Sequence, residues 1–188
     1  MSDRPDDLAS RLLDALGSLP SGIARAAGPS EVAALVAGVY RNLWDADWCR
    51  VWWADADRTE ARMIGCAPAM ELREPWQYQR VLDGSTDIVA SVVLEGRQRI
   101  EADATAIVDA DPRMAQRLGA RSGCHTPLVV AGEIRGDMTL VSTTSKGFFQ
   151  NADAPLLRAA AGYLASAIEL AHARNPEWRV QDEPSAAP

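Results

Sequence analysis

Residues 121–142 read R-S-G-C-H-T-P-L-V-V-A-G-E-I-R-G-D-M-T-L-V-S. The stretch opens as an extended run that closes on the apolar Leu128-Val129-Val130. Ala131-Gly132-Glu133 supplies a turn, and Ile134 to Val141 resumes an extended pattern, so the spacing predicts a β-hairpin. Gly147-Phe148-Phe149-Gln150-Asn151-Ala152-Asp153 then leads into a helix over 153–173. Leu157, Ala160, Leu164, Ala167, Ile168 and Ala171 form its stripe, Pro155 fits the first turn, and Asn175-Pro176 stops it. A hairpin followed by one long amphipathic helix points to an antiparallel sheet rather than to alternating β-α units.

Working outward, Trp48 to Ala54 reads as a strand rich in aromatic and β-branched residues, with Asp55 to Thr59 as a polar turn and Ala61 to Ala67 as its partner. Val32, Leu35, Val36, Val39, Tyr40 and Leu43 mark a helix over 31–44, with Ser30 as its expected N-cap. Leu8, Leu12 and Leu16 mark an earlier helix over 5–16 that Gly17 is expected to cap, with a second helical stretch within 19–27. Residues 68–84 have no clean period and read as a loop or irregular helix. Ser85 is the expected cap of a helix through Leu94, 96–101 reads as a short strand, and Asp111-Pro112 opens a small helix. The expected class is α+β: a central antiparallel sheet of five to six strands with helices packed on one face, the N- and C-terminal helices forming a bundle. The expected division is a helical extension over 1–29, a domain over 30–174, and a disordered tail over 175–188.

The chain has 188 residues, 47% of them hydrophobic, enough for one cored domain. A net charge of -7 and no basic cluster argue against nucleic acid and anionic membranes as partners. No apolar run approaches the ~20 residues that span a bilayer. The acidic N-terminus lacks the apolar segment of a signal peptide, so the expected location is the cytoplasm. Cys49, Cys66 and Cys124 are odd in number and widely spaced. They predict reduced thiols acting as small apolar groups, with neither a disulfide framework nor a metal site.

Thr126-Pro127-Leu128, Ile134-Arg135-Gly136, and Phe149 before Asp153 make residues 30–174 resemble a GAF domain. The resemblance implies a small-molecule cleft under loops on the sheet face away from the helices, and dimerisation through the first and last helices. It implies a sensory or regulatory module, read here as a standalone homodimer that binds a small molecule or a partner protein and signals in trans, rather than an enzyme. The alternatives are a ligand-free dimerisation scaffold and a thiol-dependent reductase related to the free-methionine sulfoxide reductases. Against the reductase, no Cys lies between Cys66 and Cys124, Thr139 and Val141 stand where the last strand's carboxylates are expected, and Gly123 stands where the previous strand's acid is. Against a cyclic-nucleotide signature, Lys146, Phe149 and Asp153 match while Ser145 and Ala154 do not; Lys146 and Asp153 can instead brace the loop as an ion pair.

The cleft candidates are Arg50, Trp52, Trp76, Tyr78, His125 and Thr139. Alternation places Arg50 with Trp48 and Trp52 on one strand face, and Gly123, His125 and Pro127 on another. The tryptophans read equally as core or dimer contacts. His125 reads as a cleft donor or haem ligand, or as a structural His bonded to a backbone carbonyl. Cys124-His125 resembles the pair that anchors a linear tetrapyrrole in phytochrome-like relatives, but here the pair lies within a strand. The cofactor is left open by the sequence: outside the haem and tetrapyrrole readings, none is required. His172 reads as a solvent-facing residue at the negative end of the last helix.

Overall fold

A computed structural model describes residues 4–70, 77–84, 87–104 and 119–182. Trp76, Ser85 and the small helix expected after Asp111 lie outside them. The described elements are α1 (Arg4–Arg25), α2 (Pro29–Leu43), β1 (Trp48–Ala54), β2 (Glu60–Ala67), β3 (Gln79–Val81), α3 (Ile88–Glu95), β4 (Arg99–Glu101), β5 (Ser122–Val130), β6 (Glu133–Ser142) and α4 (Ala154–Arg174). The strands form one six-stranded sheet in the order β3-β2-β1-β6-β5-β4, with every pairing antiparallel.

The hairpin that decides the fold turns at Ala131 (φ 51°) and Gly132 (φ 86°). Positive φ at both central residues gives a twist that matches that of the flanking strands. The β1–β2 turn is built on Asp55, whose carboxylate accepts from the Thr59 N–H and hydroxyl (2.7 Å each) and from the Glu60 N–H (3.1 Å). Partial burial would raise this carboxyl, but these bonds outweigh it and hold it below the usual aspartate range.

The sheet has two unlike faces. Cys49, Val51 and Trp53 of β1, Cys124 and Leu128 of β5, and Met138 and Leu140 of β6 join the stripes of α1, α2 and α4 in the main core. Tyr40 ties α2 to α4 through its hydroxyl, which donates to the Ala160 carbonyl at 2.9 Å. Gly65 lets α2 lie directly on β2, since a Cβ there would stand 2.6 Å from the Ala33 carbonyl carbon. On the opposite face Trp52, Ala61, Met63, Tyr78, Leu82 and the buried side of α3 form a second, smaller cluster.

Several local expectations are corrected. Gly17 does not end α1: the helix runs through it and Pro20 to Arg25, because Leu8, Leu12, Leu19 and Ile23 make one continuous buried stripe. Gly28 rather than Ser30 is the N-cap of α2, with Pro29 at the first helical position and no side-chain cap bond. Leu35 points outward, and Ala33 and Ala37 take its place in the core. The aperiodic 68–84 stretch contains β3, too short to show a period. Lys146 pairs with Asp103 at 2.7 Å, while Asp153 turns inward and accepts from the Gln150 N–H at 2.9 Å. The segment after α4 is not a free tail over its described part: Val180 is 4% exposed within the main core, and Arg62 donates to the Gln181 carbonyl at 3.1 Å. His172 is half-buried, edge-on to Trp178 at 5.5 Å, rather than solvent-facing.

Candidate functional site

Strand alternation and register build the site. On the face away from α1, α2 and α4, register aligns Cys66 with Arg50, Arg50 with Thr139, Thr139 with His125 and His125 with Arg99. This is one transverse row across five strands. Trp52 and Pro127 flank Asp137 in the next row. The middle of the row and Asp137 beside it are buried although they are polar: Arg50 is 2%, Thr139 4%, His125 9% and Asp137 0% exposed. Burying such groups is unfavourable unless they bond to one another or to something they hold.

Asp137 is the centre. Its Oδ2 accepts from the Thr139 hydroxyl at 2.7 Å and lies 2.9 Å from His125 Nδ1, with the Thr139 hydroxyl a further 3.2 Å from that nitrogen. A carboxylate next to Nδ1 fixes the proton on that nitrogen, so the neutral ring carries its lone pair on Nε2. The other carboxylate oxygen, Oδ1, is buried with no hydrogen-bond partner among the described residues. So is the indole Nε1 of Trp52, the cross-strand partner of Asp137.

Two arginines border this pair. Arg50 lies 5.9 Å over the Trp48 ring and donates to Met70 Sδ at 3.4 Å. Burial lowers its pKa to about 10, and neighbouring Arg80 adds to the shift. Arg80 of β3 stacks 4.6 Å above Trp52 and pairs with Asp87 at 2.8 Å. Asp87, not Ser85, is the N-cap of α3, accepting from the Ala90 N–H at 3.0 Å. One carboxylate thus joins the strand that edges the face to the helix that covers it. Asp87→Ala is expected to lose about 1 kcal/mol through the cap alone. Denaturant titration should show that loss, with faster amide exchange confined to 79–81 and 88–95.

Of the residues expected in the cleft, the structure brings together Arg50, Trp52, Tyr78, His125 and Thr139 on this one side of the sheet. Tyr78 is buried in the small cluster beside Trp52, and its carbonyl accepts from the Met63 N–H at 2.8 Å. Among the described residues His125 bonds to side chains, Asp137 and Thr139, rather than to a backbone carbonyl. Cys124 faces the long helices, is 0% exposed, and burial pushes its thiol well up. That environment does not fit a thiol that anchors a tetrapyrrole. Asp137 was missed, although period two puts it on the Thr139 face and an acid inside an apolar strand is a signal in itself. Arg80 and Asp87 carried no signal, because the stretch around them lacks a period.

A family model described as GAF domain matches residues 29–168. No curated relative matches the chain in sequence. Among solved structures, the chain is similar to a free methionine-R-sulfoxide reductase from Neisseria meningitidis in complex with its substrate, at 17% identity and TM-score 0.72 over 93% of this chain and 95% of that one. It is also similar to the GAF domain of an Acinetobacter phosphoenolpyruvate-protein phosphotransferase, at 14% identity and TM-score 0.67 over 94% and 99%. A third neighbour is residues 122 to 287 of a methyl-accepting chemotaxis protein, at 20% identity and TM-score 0.68 over 84% and 98%. At these identities the neighbours establish the fold.

Proposed function

The chain belongs to the GAF family, and we propose that it is a regulatory module that holds a small molecule between the β1-β6-β5 face and the cover made by β3 and α3. The observation that carries this reading is the buried, incomplete polar pair, Asp137 Oδ1 and Trp52 Nε1. An acceptor and a donor on cross-strand partners, both buried and both without a hydrogen-bond partner among the described residues, suit a ligand group that donates to one and accepts from the other. Arg50 beside them adds a positive charge for an anionic end of the ligand.

Binding rather than turnover fits the thiols. Cys49 and Cys124 are sealed in the main core. Cys66 is on the site's side, but burial raises its pKa and Arg50 offsets that only in part, which leaves a poor nucleophile at neutral pH. No turnover of free methionine sulfoxide with a thiol reductant is expected.

The readout we propose is a homodimer through the helical face. Leu13 of α1 is 71% exposed and Leu170 of α4 58% exposed. Between these helices runs an apolar groove of about 300 Å³ that includes Pro20, Ile23 and Tyr163. Ligand binding under α3 would reach that face through the shared strands β5 and β6. Native mass spectrometry of the full chain tests both halves. The expected result is a dimer carrying an adduct of small-molecule mass. A bare monomer in every preparation, together with no thermal stabilisation by any member of a metabolite panel, would sink the reading.

A further inference from the structure

A second cleft lies on the other side of the sheet, where the segment after α4 folds back over the end of β1. It encloses about 650 Å³, within the range of small-molecule sites. Trp53 forms part of its lining, the last turns of α4 supply Glu169 and His172, and the returning segment supplies Trp178. His172 and Trp178 meet edge-on, with ring centres 5.5 Å apart at 69°.

The charges around this cleft are unevenly compensated. Arg179 donates to the carbonyls of Pro176 and Trp178 at 2.6 and 2.9 Å, and so braces the wall it belongs to. Arg135 lies 5.9 Å over the Trp53 ring and 3.9 Å from Glu133. Asp55 is saturated by its own turn, and Asp57 is exposed at the rim. Glu169 differs from all of these. Its Oε2 is buried with no hydrogen-bond partner, and no basic side chain pairs with it among the described residues. A carboxylate oxygen out of water without a counter-charge is unfavourable, and aromatic rings beside it attract cations.

We propose that this cleft is a second ligand site, separate from the sheet-face site, and that it takes a small organic amine with a flat apolar body. The ammonium donates to Glu169 and the body packs among Trp53, His172 and Trp178. The probe is phenethylamine, followed by indole N–H signals in two-dimensional NMR of the full chain. The expected result is saturable shifts of the Trp53 and Trp178 signals with a Kd below about 1 mM. Glu169→Gln, which keeps the size of the side chain, should weaken binding at least about tenfold. N-acetylphenethylamine, which lacks the charge, should not bind. Asp137→Asn should leave binding intact, which separates this site from the other one. The proposal is overturned by non-saturable shifts, by equal binding of the acetylated compound, by undiminished binding to Glu169→Gln, or by loss of binding in Asp137→Asn.

Discussion

Gly136→Ala is expected to destabilise the protein by about 3 kcal/mol, the upper end of what overpacking usually does. A Cβ at Gly136 would stand 2.0 Å from the carbonyl oxygen of Trp52 and 3.0 Å from its carbonyl carbon. Both atoms are backbone of the central strand β1, so no rotamer change relieves the contact. The β1–β6 ladder has to open at the place where Trp52 faces Asp137. In thermal denaturation the loss corresponds to a midpoint lower by roughly 6–12 °C for a domain of this size. Gly162→Ala is the control: it lies within α4 with nothing within 4 Å of its added methyl. It should be neutral or stabilising by up to about 1 kcal/mol. Equal effects at the two positions would show that the close strand approach at Gly136 does not exist in solution.

Asp137→Ala is expected to cost about 2 kcal/mol, because it strands the Nδ1–H of His125 and the hydroxyl of Thr139 in a buried place. Asp137→Asn should stay within about 1 kcal/mol of the parent. Its amide oxygen can keep both bonds now made to Oδ2, and its NH₂ falls where Oδ1 has no partner among the described residues. The two variants therefore separate stability from binding. Both should lack the adduct expected for the parent in native mass spectrometry, while only Ala should lower the denaturation midpoint. An Asn variant as unstable as the Ala variant would show that negative charge, not hydrogen bonding, holds His125 and Thr139, and would remove the open oxygen from the ligand argument.

The strands of this site were legible and its central chemistry was only half so. Alternation puts Arg50 with Trp52 on one face of β1 and fixes the face of His125 within β5, while the register of β1, β6 and β5 brings these faces and Thr139 to one side of the sheet. Asp137 obeys the same period, but the reductase resemblance points to carboxylates at 139 and 141 and so draws attention away from it. Arg80 and Asp87 were out of reach. Their stretch has no period, and β3 exists only because the edge of β2 pairs with three residues there. The error at Gly17 has the opposite cause: local capping chemistry lost to a buried stripe that continues through Leu19 and Ile23. Val180 and Trp178 were assigned to a tail because isolated apolar residues among polar ones carry no periodic signal.

Sequence alone determined the α+β class, the central hairpin, the long terminal helix and which side chains share a strand face. These depend on neighbours two to four residues apart, where the backbone period fixes direction. Tertiary structure decided what closes each face: that Asp87 joins α3 to β3, that Oδ1 of Asp137 meets no donor among the described residues, and that the segment after α4 turns back to wall a cleft beside Glu169. Those outcomes depend on contacts that no helical or strand period encodes, and on hydrogen bonds that are absent among the described residues. Local pattern carries no record of either.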